Sequence, residues 1–307
     1  MGGSIHLEPL IITAAISPRR GLGRFYAPLA ILFSLLWASA FMAVKVGLTA
    51  SPPLFLMWSR FLIAGSVLVV AGLLLGHSLP KTSAAWAKLA VLGLFNYGAY
   101  LGISVIALEH VSGGMGAVLA STNPLMLALV APLLLRESLS RLRVGGLVLA
   151  FISVVIVMYS RTGAADRPFS MFLILVANAF LVGGTILFKR WQPGEDLTIL
   201  NGVQLGAAGL ALLIPSLLIE PVAQVHLTPA VLAAIGYLIA VVSLGAMTIW
   251  FLLLRNGDAA RATSYFFLNP IFGLFLGALL LAEPLHPLDF LGTLGVAAGI
   301  YLVNRSG

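Results

Sequence analysis

Apolar runs of about twenty residues follow one another along almost the whole chain, parted by short polar or turn-forming stretches. Ten such runs are read at 27–49, 54–75, 84–107, 113–135, 143–160, 169–190, 198–219, 229–254, 259–281 and 286–304. As a helix, a run of this length crosses a hydrocarbon core about 30 Å thick. In lipid the backbone N–H and C=O groups find no water. They must bond within the segment, which a helix achieves and a lone strand does not. The alternating polar and apolar period of an outer-membrane barrel is absent. Turn chemistry separates the runs: Ser51-Pro52-Pro53, the stretch 76–80, Pro193-Gly194 and Asn256-Gly257-Asp258. The expected fold is therefore an all-α membrane protein of ten transmembrane helices, with no connector long enough to be a soluble domain. Residues 1–26 read as a flexible cytoplasmic leader, because no basic region precedes its weak apolar run, as a cleaved signal would require.

The pattern is written twice. Asn123-Pro124 is followed by Glu137, thirteen residues after the proline; Asn269-Pro270 is followed by Glu283 at the same spacing. All three positions share an offset of 146, which also relates Leu133-Leu134-Leu135 to Leu279-Leu280-Leu281 and Gly146 to Gly292. The chain thus divides into 27–160 and 169–305, with five runs in each part. Five is odd, so the second repeat must enter the membrane upside down relative to the first. Two opposed halves able to rock about a central site are a hallmark of secondary transporters.

Composition agrees and adds orientation. The 307 residues are 60% hydrophobic and 9% charged, with mean hydropathy +1.08, too few charges to cover a soluble surface. The net charge of +7 does not imply nucleic acid, since the basic residues are scattered in short loops rather than gathered on one face. With the N-terminus inside, thirteen Lys and Arg residues face the cytoplasm, among them Arg24, Lys88, Arg143, Lys189 and Arg261. Only Arg161 and Arg167 fall in outer loops, so the expected topology is N-in/C-in in a bacterial inner membrane. There is no cysteine, which excludes disulfides and thiolate metal sites.

Candidate chemistry is neutral. Every acid and every histidine lies in the leader or at a helix end. Proton-coupled carriers commonly hold an ionisable group at depth. Its absence points to uniport or facilitated efflux. The span centres hold amides instead, Asn96, Asn123, Asn178 and Asn269, each offering donors and an acceptor without ionising. They can serve a site or bond helix to helix. Pro124 and Pro270 cannot donate to the carbonyls of Ala120 and Phe266, so each marks a kink or a hinge. Trp37, Phe41, Tyr97, Tyr100 and Tyr265 lie among these amides, and Trp250 also suits an interfacial belt. An apolar aromatic pocket with a few amides suits an organic molecule of moderate size, core packing being the other reading of each ring. Lys45 can snorkel to the outer interface. Arg60, about two turns inside its span, can pair with Glu109 or meet substrate. Glu137 and Glu283 can bond the start of the next helix or act at a gate. No catalytic set, metal site or cofactor motif is found. The expected partners are a small-molecule substrate and membrane lipid, without nucleic acid.

The paired Pro-to-Glu spacings resemble the EamA family of the drug/metabolite transporter superfamily. So does the opening text, with Trp37-Ala38-Ser39-Ala40-Phe41, Lys45, Pro52-Pro53 and Arg60-Phe61. The resemblance covers about 27–305 and implies an inner-membrane exporter of small metabolites with a cavity lined from both halves. Span seven departs from it, having no arginine to match Arg60. Within the family the chain is most like the bacterial aromatic amino acid exporters, which implies aromatic and neutral amino acids as substrates. A multidrug or other metabolite exporter is the alternative within the superfamily. An intramembrane enzyme or a passive channel is the alternative from other classes.

Overall fold

Proline and threonine set where several helices begin. The computed structural model describes residues 22–111, 113–135, 140–159, 167–281 and 285–305, and its regular elements there are all helical. In chain order they are α1 Tyr26–Gly47, α2 Pro53–Leu74, α3 Ser83–His110, α4 in two pieces Gly113–Ala120 and Asn123–Leu134, and α5 Arg141–Tyr159. Then follow α6 Pro168–Trp191, α7 Leu197–Ile219 and α8 Pro229–Asn256. α9 runs as Ala259–Ser264, a 3-10 turn Tyr265–Phe267 and Leu268–Leu281, and α10 is Pro287–Arg305. Among the described residues nine helices are long and apolar enough to cross a membrane, and a shorter apolar helix, Val118–Leu134, makes the tenth.

Pro53, Pro168 and Pro229 open α2, α6 and α8, where a missing N–H costs nothing. Thr82 and Thr228 cap α3 and α8 by accepting from the amides of Ala85 at 3.2 Å and Val231 at 3.3 Å. These two caps are also 146 residues apart. Glu220, just past α7, accepts from the amides of Leu54 at 2.7 Å and Phe55 at 2.9 Å. It thereby meets the exposed donors and positive dipole end of α2 from another helix.

Two helices carry π-helical turns, Leu94–Ala99 in α3 and Leu238–Ala246 in α8. Such a turn adds a residue to the winding and rotates all that follows. In α8 the carbonyl of Ser243 takes the Nδ2 of Asn201 from α7 at 2.8 Å.

α2 lies along α7 and α5 along α10, the two most extensive helix pairings. Both depend on missing side chains. A Cβ on Gly65 would stand 2.8 Å from the carbonyl oxygen of Gly202 and the amide nitrogen of Gly206. One on Gly146 would stand 2.6 Å from the carbonyl oxygen of Gly299. Close backbone approach of this kind is how helices gain packing energy where lipid supplies no hydrophobic drive. The contact between Gly146 and Val303 has a counterpart between Gly292 and Val157, each residue shifted by 146 and the order reversed. Leu74, Leu133, Leu218 and Leu279 on the outside are exposed, as a lipid-facing surface allows.

Candidate functional site

A cavity of roughly 690 Å³, counting its open mouth, lies between α1, α2, α3, α4, α6 and α8. It occupies the part of the bundle in which α1 ends and α6 begins. Trp37, Ala40, Phe41 and Val44 reach it from α1 at the three- and four-residue spacing of one helix face. Met57 and Arg60 enter from α2, Tyr100 and Ser104 from α3, Ala120 from α4, Asn178 from α6, and Val242 from the π turn of α8.

The π turn in α3 decides which tyrosine faces the cavity. In an unbroken α-helix Tyr97 and Tyr100 would share a face. Here Tyr100 is on the cavity wall, whereas the hydroxyl of Tyr97 donates to Oδ1 of Asn201 in α7. Asn96 likewise leaves the wall and donates from Nδ2 to Oε1 of Gln204 at 2.9 Å.

Below the cavity the rings stack. Tyr100 and Trp37 lie at 6.4 Å with planes 10° apart, and Trp37 continues to Phe33 at 5.8 Å. Phe33 then meets Trp250 at 5.3 Å and Phe266 at 5.6 Å. Trp250 is 1% exposed, so it belongs to this stack and not to an interfacial belt, as its place near a helix end had allowed. Beyond the stack the end where α1 begins is held shut by polar contacts. Arg143 pairs with Asp258 at 3.2 Å. Lys189 Nζ donates to the carbonyls of Leu254 at 3.1 Å and Gly257 at 2.8 Å. Arg261 donates to Asn304 at 2.7 Å and lies over the ring of Tyr26 at 4.1 Å.

The break in α4 is braced from α6. Asn178 Nδ2 donates to the carbonyl of Leu119 at 2.7 Å and to Thr122 Oγ1 at 3.1 Å, and among the described residues none donates to its Oδ1. The carbonyl that collects the bonds is therefore that of Leu119, one residue before the Ala120 expected from proline chemistry alone. Asn123 Nδ2 reaches the carbonyl of Asn178 at 3.5 Å, and its buried Oδ1 has no partner. Pro124 lies in the first turn of the second piece of α4, next to its first residue Asn123, and Pro270 follows the 3-10 turn of α9.

Trp37, Phe41, Tyr100, Asn178 and Arg60 thus share the cavity wall. Asn96, Tyr97, Asn123, Asn269 and Tyr265 do not. Tyr265 stands at the closed end beside Tyr26, with its hydroxyl 3.5 Å from Asn304 Oδ1. Lys45 is exposed. Glu137 and Glu283 lie outside the described residues. Arg60 makes no ion pair with Glu109, which is exposed at the end of α3. Sequence reasoning missed Asn201 and Gln204, the partners of Tyr97 and Asn96. Two amides three residues apart in an apolar run were the available signal.

A family model described as the EamA-like transporter family matches residues 24–159 and again 168–305. The uncharacterized transporter YvbV of Bacillus subtilis is 26% identical over 271 residues, 88% of each chain. Protein PecM of Dickeya dadantii is 28% identical, over 91% of this chain and 90% of its own. The uncharacterized inner membrane transporter YedA of Escherichia coli is 28% identical, over 89% of each. One crystal structure superposes with a TM-score of 0.78 at 18% identity, covering 92% of this chain and 99% of that one, a likeness of fold.

Proposed function

The chain belongs to the EamA-like transporter family, and from that premise we propose that it exports small organic metabolites across the bacterial inner membrane by alternating access. Aromatic and neutral amino acids are the proposed substrates, moved by uniport or facilitated efflux between two inverted five-helix halves. The observation that carries this reading is a half-open cavity with an aromatic floor, above an end held shut by Arg143, Lys189 and Arg261. With both termini cytoplasmic, as the positive-inside pattern suggests, the cavity faces outward and the shut end faces the cytoplasm.

The inverted relation is supported by contacts that recur with their partners exchanged. Gly146 against Val303 answers Gly292 against Val157. The π turns of α3 and α8 also fall at matching places. Lys45 stands near the end of α1 as Lys189 does near the end of α6, at an offset of 144, the same that separates Ser34 from Asn178. When the cavity turns inward, Lys45 would take up the carbonyls at the end of α3, as Lys189 now holds those at the end of α8. Rigid halves that exchange one shut end for the other are the usual form of this cycle. The described wall of the cavity carries no carboxylate, which fits movement without proton exchange.

The test is counterflow in proteoliposomes. Vesicles loaded with phenylalanine or tryptophan should accelerate uptake of the labelled compound and saturate with concentration. The absence of saturable flux for every aromatic and neutral amino acid would reject these substrates. Saturable flux without trans-stimulation would reject the carrier mechanism.

A further inference from the structure

Arg60 has no task in the carrier reading so far. It is 3% exposed, yet it forms part of the cavity wall. Its Nε and Nη1 find no hydrogen-bond acceptor. The ion pairs made among the described residues, His77 with Asp196 and Arg143 with Asp258, lie at helix ends away from it. Among the described residues its guanidinium carbon lies 4.7 Å from the ring of Phe61, and Tyr97 is close enough to act on it electrostatically. A ring face offsets only a small part of the cost of taking a cation out of water. A cation in a membrane span at the wall of a cavity, with no counter-ion among the described residues, calls for a counter-ion from outside the protein.

We infer that Arg60 anchors the carboxylate of the transported molecule, and that the substrate class is a monocarboxylate with an apolar or aromatic body. The inference rests on the reading of this cavity as the translocation site. A guanidinium presents a planar fork of donors that matches a carboxylate edge to edge. The rest of the wall suits the body of such a molecule: Trp37, Phe41 and Tyr100 offer aromatic surface, with Met57 and Val105 beside them. The charge balance excludes other classes. The wall holds no described carboxylate, so an amine or a cationic drug would meet only repulsion from Arg60. A phosphorylated metabolite would bring about two negative charges to a single cation. An amino acid has a second handle in Asn178 Oδ1, to which none of the described residues donates and which can accept from its ammonium group.

The test measures binding to the full-length protein in nanodiscs. The probes are phenylacetate and phenylalanine, their amides phenylacetamide and phenylalaninamide, and phenethylamine. Each carboxylate should bind roughly ten- to a hundredfold more tightly than its amide, the ratio expected for one charge-assisted hydrogen-bonded pair. Phenethylamine should not bind. In R60Q the ratio of carboxylate to amide affinity should fall toward one, and R60K should recover part of it. Equal binding of carboxylate and amide, failure of both carboxylates to bind, or an unchanged preference in R60Q would overturn the inference. If R60Q does not fold, the comparison of ligands on the unaltered protein decides alone. Saturable counterflow of an amide or amine at the carboxylate's rate sinks the anchor and spares the carrier. Carboxylate binding without any counterflow does the reverse.

Discussion

Asn178 donates from α6 to the carbonyl of Leu119 at 2.7 Å, five residues before Pro124 in the first turn of the second piece of α4. The same arrangement occurs 146 residues further on, with other donors. Ser34 of α1 donates to the carbonyl of Tyr265 at 2.9 Å, five residues before Pro270. Each half thus lends a side chain from its first helix to the irregular turn of the opposite half. Replacing Asn178 by Leu should lower stability by about 0.6–1.7 kcal/mol, the range for such bonds in membranes. Counterflow should fall as well. Ser34→Ala should cost less, because a single hydroxyl is lost. Thermal unfolding in detergent measures both, and an unaltered midpoint for Asn178→Leu would reject the brace.

The crossing of α5 and α10 should resist any side chain at its centre. Gly146→Val or Gly299→Val would push a methyl-bearing carbon into the facing backbone, where the Cβ position is 2.6 Å or 2.5 Å from a carbonyl oxygen. The expected loss is about 1–3 kcal/mol, as for overpacked cores, read as a lowered unfolding midpoint. Gly145→Ala is the control, because a Cβ there meets nothing within 4 Å. It should leave the midpoint unchanged or raise it slightly.

Lys189 should hold the shut end closed. Ala30 is 0% exposed between that end and the aromatic stack. The chain has no cysteine of its own, so Ala30→Cys gives a single reporting thiol. In the presence of Lys189→Met this thiol should react several-fold faster with a water-soluble maleimide. Lys45→Met should do the opposite, slowing the Ala30→Cys reaction by destabilising the inward-facing arrangement. Equal reaction rates in all three proteins would remove the paired role of the two lysines.

Topology is open to the same chemistry. Gly194 and Ala223 are exposed in the loops before and after α7. An impermeant thiol reagent added to intact cells should label Ala223→Cys and spare Gly194→Cys until the inner membrane is opened. Labelling of both from the same side would contradict a spanning α7. Reversed labelling would contradict the assigned orientation.

Much of the fold was legible because lipid leaves the backbone one economical choice. Each of the ten apolar runs corresponds to a helix, and Pro53, Pro168 and Pro229 mark starts where their chemistry places them. The cavity was only partly legible. Trp37 and Tyr100 stand out as rings at depth, and Asn178 as an amide among apolar neighbours. The π turns were not readable, since a residue added to the winding leaves the apolar composition unaltered. That hidden rotation separates Tyr97 from Tyr100 and sends Asn96 to Gln204. Arg60 was misjudged for a related reason. Being on the same side of the membrane as Glu109 says nothing of lateral distance, and the carboxylate stays at the exposed end of α3. Trp250 was ambiguous because depth alone cannot tell a belt from a stack.

The glycine crossings of α2 with α7 and of α5 with α10 bring bare backbone against bare backbone. Surfaces without interlocking knobs can slip past each other with little change in energy, as plain bearings do. Resistance to turning would then be concentrated at the rims, in the few hydrogen bonds made by Lys189, Arg143 and Arg261. A machine of this kind is tuned by trimming its latches, while its axles tolerate no added weight.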